Sequence, residues 1–227
     1  LGLWNRRGII PMAQSQDTAG PMCRTVTDAA LLLGALAETP REDPSTGIAP
    51  AEIPPGYGSF LNNEGLGKLR IGVARDLLGF DPRVDALFEQ ALALLASLGV
   101  TLAGDVRFPE LRKMGQASYR VMLFEFRHGL NDYLATHPTA PVRSLREIIA
   151  FNETHAEREM PWFGQDILLK AEEMGDLTSD DYRQALKTAR ELSREKGIDG
   201  AMEALKLDAL VAATNGPAWT IDRVNGD

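Results

Sequence analysis

The hydrophobic and polar positions along this chain follow two different periods, which together predict an α/β protein. Short apolar runs of strand length occur at residues 69–74, 100–106 and 209–213. Between the first two runs, apolar residues recur at helical spacing from Val84 to Leu98. A strand, a helix and a strand with short connections form a βαβ unit, and such a crossover joins parallel strands. The sheet is therefore expected to be at least partly parallel.

Two helices carry clear start signals. Asp81 can cap one helix, Pro82 suits its first position, and Gly99 tolerates the left-handed backbone past its end. Thr25, with an acidic residue three positions later, can cap another helix over residues 26–38, which is expected to be buried. In the helix that Asp81 caps, the residues expected to form the apolar face are Val84, Leu87, Phe88, Ala91, Leu94, Leu95 and Leu98.

The rest of the chain predicts a helical layer over a mixed sheet. Residues 1–4 and 9–10 are expected to be extended, because a proline follows the second run. Residues 39–67 are rich in proline and glycine and predict a long surface excursion. Beyond Pro109, helices are predicted at 110–134, at 144–159, around 163–174, after a cap at Thr178 or Ser179, and near 200–205.

Composition narrows the possible partners. The net charge of -8 argues against a duplex nucleic-acid partner, because phosphate binding requires clustered lysine and arginine. No apolar run approaches the roughly 20 residues that a membrane helix needs. The single cysteine, Cys23, excludes an internal disulfide framework and is expected to be a buried small hydrophobic residue. The histidines at 128, 137 and 155 have no metal-binding spacing, so no metal site is predicted.

The densest group of turn formers, hydroxyls and charges lies at residues 8–30, with the sequence GIIPMAQSQDTAGPMCRTVTDAA. This segment resembles the distal part of the amidase signature, which hydrolases of the amidase signature family carry just after their nucleophilic serine. The preceding LGLWNRR and the late DALVAATNGPAW, at 208–219, also resemble segments of that family. Within the family, the chain looks more like the stand-alone bacterial amidases related to peptide amidase than like the tRNA-dependent amidotransferase subunit.

The resemblance implies hydrolysis of a carboxamide through an acyl-serine intermediate, without a metal or organic cofactor. The family uses a nucleophilic serine in a Gly/Ser-rich loop, a second serine with a cis peptide bond, and a lysine. No stretch of this chain resembles that loop, and all three residues are expected upstream of Leu1. The chain is thus expected to be the C-terminal portion of a larger amidase, truncated at both ends, with no catalytic residue of its own and no activity alone.

The resemblance also implies which residues support the site. Asp17 and Thr18 would brace the segment that bears the nucleophile, with Gly20 and Arg24 beside them. A buried carboxylate that accepts charge-assisted hydrogen bonds can lock a neighbouring loop. The alternative is that Asp17 caps a local turn and Arg24 pairs with Asp28, serving the fold alone. The residues predicted to line the substrate pocket are Gln14 and Trp219.

We expect one domain fragment over residues 1–227. The intact protein would bind a small-molecule amide substrate and neither nucleic acid nor membrane. The oligomeric state and the compartment stay open, with a cytoplasmic location as the default and export not excluded. Two alternatives also stay open: a non-catalytic α/β module that binds a ligand or a partner, and an A-type subunit of an amidotransferase, acting on glutamine. The expected segments are the end of the signature region (1–38), the surface excursion (39–67), the βαβ unit (68–107), the helical cover (108–206), and a core strand with a pocket loop (207–227).

Overall fold

The computed structural model describes residues 3–37, 54, 56–62 and 64–224. The chain divides into two compact units, the first formed by Leu1–Asn62 with Tyr119–Tyr182 and the second by Asn63–Ser118 with Arg183–Asp227. In chain order, the α-helices and β-strands of the described residues are α1 (Val26–Leu36), β1 (Arg70–Val73), α2 (Pro82–Ser97), β2 (Thr101–Asp105), α3 (Leu111–Ala135), α4 (Leu145–Thr154), α5 (Ala156–Glu159), α6 (Asp166–Glu172), α7 (Asp180–Ser193), α8 (Asp199–Leu205) and β3 (Ala209–Val211).

The second unit is built on a parallel sheet, which confirms the prediction of parallel pairing. Strand β1 lies in the middle, with β2 on one side and β3 on the other. Ile71 is paired with Leu102 of β2 and with Ala209 of β3. Helix α2 provides the crossover from β1 to β2, as the sequence predicts. An α/β architecture is therefore confirmed.

Two apolar clusters hold this sheet. Val73 of the central strand packs with Phe88 and Leu92 of α2. A second cluster, formed by Ala103, Val106 and Leu207, is joined by the partly buried Leu210. Gly72 lies beside the second cluster with no room for a side chain, because a Cβ atom there would come within 2.5 to 2.7 Å of three side chains. The glycine is therefore a packing requirement of the central strand.

Replacing Gly72 with alanine should lower the free energy of unfolding by about 1–3 kcal/mol, the usual effect of overpacking a core. The side chains of Leu207, Leu210 and Val106 would have to move. Urea unfolding gives the measurement. Gly115→Ala in α3 is the control, because nothing lies within 4 Å of its Cβ position, and it should stabilise the helix by about 0.5–1 kcal/mol. Equal stability of the wild type and Gly72→Ala would contradict this account of the strand.

Helix α2 begins as predicted, but its predicted apolar face is partly wrong. Phe88 and Leu92 are its buried residues, whereas Leu87, Leu94 and Leu98 are 65%, 60% and 49% exposed. The apolar residues of α2 form two neighbouring stripes, one with Phe88 and Leu92 and the other with Leu87, Leu94 and Leu98. The sheet contacts the stripe that contains Phe88 and Leu92, so the spacing of apolar residues alone could not separate the two.

The cap of α2 makes its stability depend on pH. The Asp81 carboxylate accepts hydrogen bonds from the guanidinium and the backbone N–H of Arg83. These bonds, the guanidinium first, lower the pKa of Asp81 from 3.8 to about 2. A carboxyl whose pKa is lower in the folded protein stabilises it above the unfolded pKa and loses that effect as the pH falls towards the folded pKa.

Asp81→Asn should therefore lower the melting temperature at pH 6, because asparagine can still cap the helix but has no charge for Arg83. The difference in melting temperature between the wild type and the variant should shrink as the pH falls from about 4 towards 2. Thermal unfolding followed by circular dichroism at a series of pH values measures this difference. A difference that stays constant down to pH 2.5 would rule out the ion pair as its source.

The first unit has a helical core. Its buried cluster joins α3, α4 and α6 through Leu123, Leu130, Leu134, Leu145, Ile149 and Ala171. The helix predicted over 144–159 is in fact two helices, because the backbone at His155 leaves helical geometry at φ -114° and ψ 27°. Within the described residues, no helix combines the length and the apolar content needed to cross a lipid bilayer.

Several local predictions for the first unit are corrected. Thr25 caps α1 by accepting a hydrogen bond from the Asp28 N–H, as predicted, but none of the residues of α1 is buried. In the predicted extended segments at 1–4 and 9–10, residues 3, 4 and 9 form bends, and residues 1 and 2 lie outside the described residues. Cys23 is exposed, not buried. In the 227-residue chain these apolar segments lie on the surface, so their predicted burial is not observed there. The predicted excursion at 39–67 lies mostly outside the described residues.

Candidate active site

The segment singled out by sequence contains a tight turn that one carboxylate closes. The Asp17 side chain accepts hydrogen bonds from the backbone N–H groups of Met12, at 2.9 Å, and Ala13, at 3.0 Å. The backbone N–H groups of Gln16 and Asp17 both donate to the Ala13 carbonyl, at 2.8 and 2.7 Å. We call residues 12–19 the signature loop. Asp17 thus caps a local turn, and through that turn it fixes the shape of the loop.

The loop is tied to the segment before it by an arginine. The Arg6 guanidinium donates to the backbone carbonyls of Gln14, at 2.7 Å, and Asp17, at 3.0 Å. One planar cation therefore satisfies two carbonyl groups that no secondary structure would satisfy. Arg6 therefore connects residues 14 and 17 of the loop to the segment that precedes it.

A buried glutamate joins the same loop to α3. Glu125 is 4% exposed, and its Oε2 accepts hydrogen bonds from the backbone N–H and the hydroxyl of Ser15, both at 2.9 Å. Its Oε1 accepts a hydrogen bond from the Tyr182 hydroxyl at 2.6 Å. The Tyr182 ring packs at a tilt against Phe124, with 5.6 Å between ring centroids. The cluster Ser15, Glu125 and Tyr182 therefore lies wholly within the first unit.

Sequence reasoning missed Glu125 as a site residue, although a signal was available. It is the one charged residue of the run VMLFEF at 121–126, where Val121 and Phe124 are buried. A carboxylate on the buried face of a helix must find donors elsewhere in the fold. The period of the helix shows that donors are needed but cannot name Ser15, which is far away in the sequence.

A groove of about 600 Å³ runs between the signature loop and α3. Gly129 lies where the ring of Pro11 meets α3, and a Cβ atom at this position would come within 3.1 Å of the ring. We call this depression the loop groove. Its lining residues are residues 5–12, Gln14, Asp17, Thr18 and Ala19 from the loop side and Gly129, Asp132, Tyr133 and Thr136 from α3.

The structure brings some of the predicted site residues together and leaves others apart. Gln14, Asp17 and Thr18 all line the loop groove, whereas Gly20 and Arg24 are exposed and do not line it. Within the described part of the chain, Arg24 forms no ion pair with Asp28, so that part of the alternative interpretation is wrong. Trp219 belongs to the second unit and is 60% exposed.

The carboxyl ends of the parallel strands, where open α/β proteins often bind ligands, carry an ion-pair network. The Asp76 carboxylate accepts hydrogen bonds from the Phe108 N–H, at 2.7 Å, and from Arg107, at 2.6 Å. These two donors, the backbone N–H first, hold the pKa of Asp76 below its usual value. Arg75 contacts Asp105 at 2.9 Å. These charges join the loop after β1 to the end of β2 and so serve the fold.

Among residues 3–37, 54, 56–62 and 64–224, no three His, Cys, Asp or Glu side chains come together in a way that could hold an ion.

A second depression, of about 490 Å³, follows α5, with the exposed Trp162 and Phe163 on its wall. The loop groove remains the candidate site because it contains three of the residues that the sequence singled out.

Asp17→Asn should lower the free energy of unfolding by about 1.5–3 kcal/mol, the usual value of hydrogen bonds to a charged group. An asparagine oxygen in the place of Oδ2 could still accept from the Met12 and Ala13 N–H groups, but its NH₂ group would replace Oδ1 and face the Ala13 N–H. Chemical denaturation measures the change. Thr18→Ala is the matched control: the Thr18 hydroxyl makes a single long hydrogen bond of 3.4 Å, so the loss should stay below about 0.5 kcal/mol. Similar losses in both variants would contradict the role of Asp17.

Comparison with protein families identifies the chain. The family model described as Amidase matches residues 1–225. The chain therefore belongs to the amidase family, as its signature segment predicts.

Individual relatives agree with this assignment. A probable amidase of Arabidopsis thaliana is 34% identical over 217 residues, which cover 93% of this chain and 41% of that protein. The A-type subunit of the glutamyl-tRNA(Gln) amidotransferase of Pseudomonas savastanoi pv. phaseolicola is 28% identical over 230 residues, covering 100% of this chain and 46% of that protein. The chain thus spans less than half the length of these relatives.

Solved structures give the same fold. The peptide amidase in complex with the competitive inhibitor chymostatin superposes with a TM-score of 0.91 and 40% identity, covering 100% of this chain and 46% of that one. Native peptide amidase from Stenotrophomonas maltophilia gives a TM-score of 0.88 and 41% identity, covering 96% and 44%. The predicted α/β fold of the amidase family is confirmed.

Proposed function

We propose that this chain is the C-terminal part of an amidase that hydrolyses a carboxamide through an acyl-serine intermediate. The observation that carries the proposal is the loop groove, lined by Gln14, Asp17 and Thr18 of the signature segment, in a chain that is 40% identical to peptide amidase. The Ser, cis-Ser and Lys triad would come from sequence outside these 227 residues, because the relatives are more than twice as long. The chain alone would then be inactive.

The chemistry divides between the two parts of the protein. The serine oxygen attacks the amide carbon while a base takes its proton, and the carbon–nitrogen bond breaks as the nitrogen is protonated and leaves as ammonia or an amine. Water then hydrolyses the ester and restores the serine. This chain would contribute the wall of the substrate pocket and a rigid support for the neighbouring nucleophile segment. Asp17 and Arg6 serve that support by fixing the signature loop.

The favoured substrate class is a carboxamide with an extended acyl portion, such as a C-terminal peptide amide. Identity to the two peptide amidase structures is 40–41%, whereas identity to the amidotransferase relative over the whole chain is 28%. The loop groove has an apolar rim formed by the exposed side chains of Ile9, Ile10 and Met12. An open apolar groove suits a substrate chain longer than a free amino acid. Small-molecule amides are thus the proposed ligands.

A second candidate is an A-type subunit of an amidotransferase, which would act on glutamine. The relatives named as glutamyl-tRNA(Gln) amidotransferases favour it, since one of them aligns with 100% of the chain. A non-catalytic binding module is the third candidate, and it would have the loop groove without any hydrolysis.

The test expresses the protein from the complete reading frame that contains these residues and measures ammonia release. We expect release from C-terminal peptide amides at a rate at least about tenfold above that from free glutamine. The release should disappear when the serine that aligns with the family nucleophile becomes alanine, and the 227-residue chain alone should release none. Ammonia release from glutamine alone would favour the amidotransferase subunit. If no carboxamide released ammonia, the non-catalytic binding module would be the remaining candidate.

A further inference from the structure

We propose that Glu125 is a positioning residue of the amidase site, which fixes the signature loop through Ser15 while Tyr182 orients its carboxylate. The inference rests on the amidase function proposed above and adds a residue that the signature segment does not contain. The first argument for it is the free-energy cost of burying the Glu125 carboxylate. A carboxylate that is 4% exposed loses most of its hydration, and within the described residues no cation pairs with it. Hydrogen bonds alone must offset that loss.

Stability alone does not account for the glutamate. Replacing a buried charged group together with its partners by apolar residues is often neutral or stabilising. Val121, Leu123 and Phe124, its neighbours on α3, are all buried and apolar. An apolar residue at 125 would continue the same core. The glutamate must therefore do something that apolar packing cannot, and directional hydrogen bonding is the property that distinguishes it.

The two oxygens of Glu125 have separate partners. Oε2 accepts from both the N–H and the hydroxyl of Ser15, which fixes the backbone of Ser15 and the orientation of its side chain together. Ser15 lies directly after Gln14 and two residues before Asp17, and both of these line the loop groove. A displacement of Ser15 would therefore move the groove wall. Glu125 attaches this wall to the long helix α3.

Tyr182 completes the support from the other side. Its hydroxyl donates to Oε1 at 2.6 Å, within the range of strong O–H···O⁻ bonds. The tyrosine is itself held in place, because its ring packs against Phe124 and its backbone N–H donates to the Ser179 hydroxyl at 3.3 Å. With Oε1 fixed in this way, the carboxylate cannot rotate away from Ser15. The loop, α3 and the start of α7 form one connected arrangement.

The first test measures steady-state kinetics in the protein expressed from its complete reading frame. Tyr182→Phe keeps the ring and removes one hydroxyl, and it should lower kcat about tenfold while KM changes less than about twofold, because misplaced pocket groups slow the chemical step. Glu125→Leu should lower kcat by about a hundredfold. Glu125→Gln, which can still accept from Ser15 through its amide oxygen, should recover part of that loss.

Glu172→Gln is the matched control. Glu172 is a largely buried carboxylate on α6 of the same unit, where it accepts a hydrogen bond from Arg146 at 3.0 Å, and it does not line the loop groove. Its variant should leave kcat unchanged. The positioning role is refuted if Tyr182→Phe and Glu125→Gln lower the melting temperature as Glu172→Gln does but leave kcat and KM at wild-type values.

A second measurement separates this inference from the proposed function. Amide hydrogen exchange of Ser15 can be followed by NMR in the protein expressed from its complete reading frame, and this measurement needs no activity. Glu125→Leu should accelerate exchange at Ser15 by at least about tenfold, and Glu172→Gln should not change it. If the wild type shows no amidase activity but Ser15 responds in this way, the proposed function fails and the anchoring of the loop stands. Unchanged exchange in Glu125→Leu contradicts the inference itself, whatever the activity.

Discussion

The signature loop depends on two carboxylates, because its backbone N–H groups have no partners in a helix or a sheet. Asp17 satisfies the N–H groups of Met12 and Ala13, and Glu125 satisfies that of Ser15. Backbone groups that lack such partners are costly to bury. The loop can therefore keep an irregular shape beside a groove only while both acids are in place. One acid is local in sequence and the other comes from a distant helix.

This difference in sequence distance explains how much of the fold could be predicted. The caps at Thr25 and Asp81 were predictable because each bond joins residues two or three positions apart. The parallel sheet followed from a strand, helix and strand of ordinary length. Burial was less predictable. No residue of α1 is buried in this chain, and the apolar spacing of a helix does not show which other segments will cover it.

The same reasoning applies to the candidate site. Gln14, Asp17 and Thr18 are neighbours in sequence, so a resemblance to one motif placed all three at one groove. Glu125 and Tyr182 meet Ser15 only through the tertiary fold. Arg24 and Gly20 belong to the motif, but both are exposed and neither lines the groove. A motif thus indicates where a site lies without defining which of its members line it.

The contact between Gly129 and Pro11 links the stability of a helix to the size of the groove. Glycine within a helix costs roughly 1 kcal/mol relative to alanine, and this one lies inside the 25-residue helix α3. An added methyl group would press against the Pro11 ring from 3.1 Å away and displace the loop side of the groove. Alanine at this position would therefore make α3 more stable and the groove narrower, through a single added carbon atom.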